Sequence, residues 1–121
     1  MILPDQRPAK NTAQIDSVFF GIPASTSLLI QKLVQKVECD VFIATMQRKL
    51  KQGSYGLTLK TLDADQLKQS AEISAGYLNQ SIESLIKPDI AQYQWSYRRF
   101  PIQYYRALEH DRYHLDESKF E

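Results

Sequence analysis

The sequence predicts an α/β fold, on three observations. Apolar runs of strand length alternate with two longer segments of helical period. Two of the runs are joined by a short glycine-containing turn, as in a hairpin. The longer helical segment opens on a capping signature and closes on a proline.

In chain order, "MILPDQ" (1–6) reads as the end of a strand entering a loop. The polar stretch "DQRPAKNTAQIDS" (5–17), with Pro8, continues that loop. Residues 18–20 are a short buried strand, after which Gly21 and Pro23 turn the chain. Ser25 is the expected N-cap of a helix over 26–38, because its hydroxyl can accept from an orphan backbone N–H. Leu29, Ile30, Leu33, Val34 and Val37 share one face of that helix. Gln31, Lys32, Gln35 and Lys36 take the solvent face. "DVFIATMQ" (40–47) is apolar on both alternations, which predicts a strand covered on both sides. Gly53 supplies the turn, and 55–62 returns antiparallel.

Asp63 and Gln66 have capping-box spacing and open the longest helix, 64–87. Its apolar stripe is Leu67, Ala71, Ala75, Leu78, Ile82, Leu85 and Ile86, and Pro88 stops it. Beyond Pro101 lies a polar tail of mixed charge with a short helix over 102–113. The division is therefore a domain over 1–101 and a tail over 102–121. So few strands suggest part of a larger sheet.

Composition narrows the function classes. Fifteen basic and fourteen acidic residues leave a net charge of +1, which argues against strongly electrostatic DNA binding. Cys39 is the single cysteine, so no intramolecular disulfide or cysteine-rich metal site can form. At the junction of helix and strand it reads as a small buried residue. No apolar run approaches the roughly 20 residues of a bilayer span, and "MILPD" does not start like a signal peptide.

His110 and His114 stand at i, i+4, a zinc-compatible spacing. A third ligand is missing, however, and Asp111 stands where a zinc protease has glutamate, so solvated histidines are expected and no metal. No nucleophile motif or phosphate loop is present, and no cofactor is expected. Asp63 with Asp65, and Asp116 with Glu117, sit at a cap and in the tail.

The richest segment is "QYQWSYRRF" (92–100), with Tyr93, Trp95, Tyr97 and Phe100 around Arg98 and Arg99. Three readings stay open on the residues alone. The rings pack with the arginines at the edge, the rings stack on nucleic-acid bases, or the arginines grip an acidic lipid headgroup.

Taken in order, several stretches resemble the bacterial lipid A biosynthesis acyltransferases, the late lauroyl and myristoyl transferases of lipopolysaccharide assembly. Pro4, Asp5 and Gln6 match a "PDQ". Phe19, Phe20, Gly21, Pro23, Ala24 and Thr26 match "FFG-x-PA-x-T". Arg48, Gly53 and Tyr55 match a strand ending in arginine and its turn, and Asn79 and Glu83 match an "N-x-x-x-E" pair. Gln92, Tyr93, Trp95, Arg98, Arg99 and Phe100 match the closing block in order and spacing. Ile90, Ala91, Tyr97 and Pro101 depart from that block, as do Arg7 and Pro8 after "PDQ".

The resemblance implies a partial glycerolphosphate-acyltransferase-like α/β sheet with flanking helices, a hairpin and a long C-terminal helix. It implies transfer of a fatty acyl chain from acyl carrier protein to a lipid A precursor at the cytoplasmic face of the inner membrane. Asp5, Gln6, Arg48, Arg98 and Arg99 become the expected substrate-binding residues; nucleic acid is not an expected partner. The family's catalytic histidine, followed five positions later by Asp or Glu, has no counterpart. Leu115 follows His110 at that distance and Lys119 follows His114. The chain therefore resembles the last two-fifths of such an enzyme, inactive without its N-terminal half. The alternative is a non-catalytic lipid-headgroup or protein-binding module.

Overall fold

A computed structural model describes residues 1–117, with side chains described through Glu109. It bears out the mixed α/β class, with the strands in two separate antiparallel hairpins. The first joins β1 (Gln14–Phe19) to β2 (Ile22–Ser27), and the second joins β3 (Val41–Lys49) to β4 (Ser54–Leu62). The helices are α1 (Leu29–Lys36), α2 (Ala64–Leu67), α3 (Ala71–Ile86) and α4 (Ile102–Glu117). A 3-10 segment, Lys87–Gln92, follows α3. The core is shared by Phe19, Ala24, Val34, Leu62, Leu67, Leu78, Ile82 and Phe100, with α3 lying against the first hairpin.

The first hairpin is larger than expected. Residues 14–17, read as loop, form β1 because Ile15, Ser17 and Phe19 alternate inward while polar Gln14 and Asp16 face out. Residues 25–27, read as the start of a helix, belong to β2, where Ser25 pairs with Asp16 and Ser27 with Gln14. The helix therefore begins only at Leu29, whose N–H donates to Ser27 Oγ at 3.2 Å. Phe20 and Gly21 make the two-residue turn with φ of 48° and 78°. Positive φ at both positions matches the right-handed strand twist in a type I′ turn.

Four further expectations are corrected. Residues 1–6 form no strand; Pro4 has no N–H to give a ladder, and Gln6 N–H closes a turn onto Leu3 O at 3.4 Å. β3 is covered on one face only, since Phe42 and Met46 stay exposed while Val41 and Ile43 turn toward the core. The α1 stripe is half covered: Leu29, Leu33 and Val37 are exposed, whereas Gln31 is buried and donates Nε2 to Gln69 O at 2.7 Å. Cys39 is exposed in the short connection before β3.

The single helix over 64–87 is two. Asp63 caps α2 by accepting from Asp65 N–H at 2.9 Å, without the Gln66 arm of a capping box. Ser70 then caps α3 through Ile73 N–H. A second capping side chain, the Ser70 hydroxyl after the Asp63 carboxylate, lets the chain end one helix and start another inside the apolar stripe. The expected stripe survives the break, with Leu67, Ala75, Leu78 and Ile82 buried.

Candidate functional site

Three of the ordered sequence stretches meet on the first hairpin. α3 carries Asn79 and Glu83 four residues apart, one turn of the same face. Asn79 is fully buried and donates Nδ2 to Val18 O at 3.2 Å and to Thr26 Oγ1 at 3.0 Å. Glu83 Oε1 accepts from Phe20 N–H at 2.7 Å, and its Oε2 lies 3.7 Å from Lys87 Nζ. The carboxylate thus holds the one non-glycine residue with positive φ among those described. Left-handed backbone is unfavourable for a residue with a Cβ, and a charged acceptor on its N–H offsets part of that cost.

Arg99 reaches the same hairpin from the other side. It is 2% exposed, donates Nη1 to Ser25 O at 2.6 Å and Nη2 to Thr26 Oγ1 at 3.3 Å, and lies 5.4 Å from the Phe19 ring centroid. Burial lowers its pKa from the ordinary guanidinium value, opposed by the nearby Tyr93 and Tyr97 and the Asp5 carboxylate. Thr26 Oγ1 is the hub: it donates to Ala24 O at 3.1 Å while accepting from Asn79 and Arg99.

The rest of "QYQWSYRRF" ties separate elements together. Gln92 exchanges two hydrogen bonds with the Arg48 backbone, at 2.8 and 3.0 Å, fixing the 3-10 segment to β3. Trp95 Nε1 donates to Ile90 O at 2.8 Å, and its ring meets Phe20 and Tyr93 edge-on at 5.5 and 4.8 Å. Tyr97 Oη accepts from Arg7 N–H at 2.9 Å. The aromatics therefore pack as one of the three readings has it. Arg98 lies at the exposed edge, but Arg99 is interior.

Of the five expected substrate-binding residues, the structure groups some and separates others. Asp5 and Arg99 both act electrostatically on Tyr93, whose pKa is pushed up to about 12, first by burial, then by Asp5, with Arg99 opposing. Asp5 is the single charged residue lining an apolar cleft of about 270 Å³ between the N-terminal segment, β3 and α3, with Ile43, Ile82, Leu85, Ile86 and Tyr93 on its walls. Gln6 faces a different cavity, of about 400 Å³, beside α1. The Arg48 and Arg98 side chains are exposed. Sequence reasoning placed none of Thr26, Asn79 and Glu83 among the site residues. Their signal was membership in the same ordered set as Arg99. His110 and His114 fall beyond the last described side chain, so the zinc spacing lies outside the described residues. Among the described residues no helix is long and apolar enough to cross a membrane.

The polar cluster at the first hairpin gathers Thr26, Asn79, Glu83 and Arg99 from the ordered stretches that carry the resemblance, on a mixed α/β unit. The family model described as bacterial lipid A biosynthesis acyltransferase matches residues 1–101, and the chain belongs to that family. No curated protein matches the chain. Membership carries an acyltransferase-type function in lipid A biosynthesis, with a lipid A precursor and an acyl donor as the substrates it implies.

Proposed function

We propose that this chain is the C-terminal, acceptor-binding part of an enzyme that moves a fatty acyl group from acyl carrier protein to a hydroxyl of a lipid A precursor at the inner membrane. In that reaction the hydroxyl oxygen attacks the thioester carbonyl. Its proton passes to a general base, the C–S bond breaks, and the carrier leaves as a thiol. The chain holds no histidine followed five positions later by Asp or Glu, so that base must come from a segment that carries the motif. Taken alone, the chain does not turn over.

The observation that carries the reading is the family match over 1–101, together with the convergence of Thr26, Asn79, Glu83 and Arg99 on one hairpin. Arg48 and Arg98 supply exposed guanidinium forks suited to sugar phosphates. Arg99, its Nη atoms engaged by Ser25 and Thr26, supports the segment that presents Arg98. Asp5, and Gln6 beside it, contribute polar groups to the rim of the acceptor site.

The test is twofold. Acyl transfer from acyl carrier protein is measured with the chain alone, and binding of a bisphosphorylated lipid A precursor is measured with Arg48→Ala and Arg98→Ala. Expected are no turnover and weakened binding in both variants. Turnover that survives replacement of His110 and His114, or precursor binding unchanged by both arginine substitutions, overturns the proposal.

A further inference from the structure

We propose that the chain pairs with a second copy of itself along the outer edge of β3, making one continuous four-stranded antiparallel sheet. Gln92 shows how that edge is oriented. Its Oε1 accepts from the Arg48 N–H at 2.8 Å, and its Nε2 donates to the Arg48 carbonyl at 3.0 Å. Engaged in this way, Arg48 turns both backbone groups away from β4. In an antiparallel ladder that orientation recurs at every second residue, so Phe42, Ala44 and Met46 also point N–H and C=O outward. Among the described residues β3 pairs with β4 alone, and no other group bonds the backbone of these three. Leu3 and Pro4 face Ala44 and Met46 across the cleft of about 270 Å³ but make no backbone hydrogen bond to β3. Such a row of unpaired groups is a template for another strand.

The two ends of β3 fix the register and the occupant. β3 starts at Val41, and the Gln92 side chain closes the edge at Arg48. The longest antiparallel self-pairing that clears Gln92 in both copies centres on Ala44 and joins residues 41–47 of each. It sets Ala44 against Ala44 of the second copy, Phe42 against its Met46 and Ile43 against its Thr45. Residues 41–47 carry no charge, and Asp40 and Arg48 bracket them. In this register each Arg48 meets Asp40 of the other copy, so the two-fold axis makes two cross-strand ion pairs. Both residues are exposed, and among the described residues neither forms an ion pair within the chain. An unrelated strand finds the same backbone groups but has no built-in match to those two charges. The outer edge of β4 also lacks the match. Its full-length self-pairing sets Lys60 against Gly56 of the second copy, where a Cβ would come within 2.7 Å of Lys49 Cε, so cations meet there. The pairing rests on the strand edge and goes beyond the acyl-transfer reading.

The experiment is sedimentation equilibrium of the full chain, whose dimer has twice the 14.0 kDa of one copy. The variants are Arg48→Asp, Asp40→Arg and the two together. Expected is a wild-type dimer whose dissociation constant rises at least about tenfold with either single substitution, because the axis counts each charge clash twice. The double variant exchanges the two charges and should return to within about threefold of wild type. Both positions are exposed, so an unchanged urea midpoint confirms that the fold persists. Ala44→Cys in a Cys39→Ser background gives an independent reading. Hydrogen-bonded partners in an antiparallel pair lie about 5.5 Å apart at Cα, within disulfide reach. Mild oxidation should yield a covalent dimer with Ala44→Cys and none with Leu59→Cys, its neighbour on β4, in the same background. A wild-type chain that stays monomeric at every soluble concentration overturns the proposal. So do single substitutions without effect, a double variant no better than the singles, or a disulfide that forms as readily through Leu59→Cys. These measurements read association and no turnover, so their failure leaves the acyl-transfer proposal standing, and the reverse also holds.

Discussion

The guanidinium of Arg99 donates Nη1 to the carbonyl oxygen of Ser25 at 2.6 Å, joining positions 74 residues apart. The adjacent Arg98 is exposed. Two neighbouring arginines that look equivalent in the sequence therefore do different work. One closes the C-terminal segment onto β2, and the other lies at the surface.

Replacement of Arg99 by lysine separates these roles. An ammonium cannot present two parallel donors to Ser25 O and Thr26 Oγ1, and one acceptor is left unpaired in the interior. Arg99→Lys is expected to destabilise the fold by about 2–3 kcal/mol, whereas Arg98→Lys stays within about 0.5 kcal/mol of wild type. Urea unfolding followed by Trp95 fluorescence measures both. Equal effects of the two substitutions would contradict the assignment.

The turn at Phe20 and Gly21 gives a second prediction. Glu83 Oε1 accepts the N–H of Phe20, whose φ is 48°. Glu83→Ala removes the acceptor and leaves that N–H unpaired, at a cost of about 1–3 kcal/mol. Glu83→Gln keeps a carbonyl oxygen at the same reach and loses only the charge assistance, so it should recover more than half of the deficit. A glutamine variant as unstable as the alanine one would assign the effect to the Lys87 contact instead.

Much of the architecture was legible because it rests on local signals. The 3.6-residue stripe on α3, Pro88 and the glycine turn at Gly53 are read from neighbours in the chain. What was missed depends on pairing at a distance. β1 hides in a polar stretch because only Ile15, Ser17 and Phe19 face inward, and that alternation was outweighed by Asn11, Thr12 and Asp16. Ser25 looked like an N-cap because the ladder holding it extended lies in β1. The break at 68–70 was masked because the apolar stripe continues across it, with Leu67 and Ala75 both buried. At the site, the ordered match pointed to Arg99, but an interior position and an exposed one leave the same letters in a sequence.

Thr26 offers a test of the buried polar cluster as a unit. Its Oγ1 accepts from Asn79 Nδ2 and Arg99 Nη2, so Thr26→Val keeps the shape and strands two donors at once. Expected is a loss of about 2–4 kcal/mol, with Thr26→Ser much milder because the hydroxyl remains. In a double-mutant cycle, Thr26→Val and Asn79→Ala should be strongly non-additive, since each removes the same bond. Additive effects would mean that the two residues act separately.

The last prediction concerns alkaline pH and follows from Tyr93. Its phenol is pushed up to about 12 from an ordinary 10, by burial and by the Asp5 carboxylate, against the opposing pull of Arg99. A folded-state pKa above the unfolded value means that the unfolded chain releases this proton first. The stabilisation linked to the neutral phenol is complete below the unfolded value near 10 and is lost as pH rises through the folded value near 12. Across that window this one group lowers stability by at most about 1.4 kcal/mol per pH unit. Tyr93→Phe has no proton to lose, so its urea midpoint should fall less steeply than wild type over the same range. Asp5→Asn removes a cause of the shift and should move the onset of Tyr93 ionisation downward, which tyrosinate absorbance can follow. Parallel pH profiles for wild type and Tyr93→Phe would show that Tyr93 ionises as freely in the folded chain as in the unfolded one.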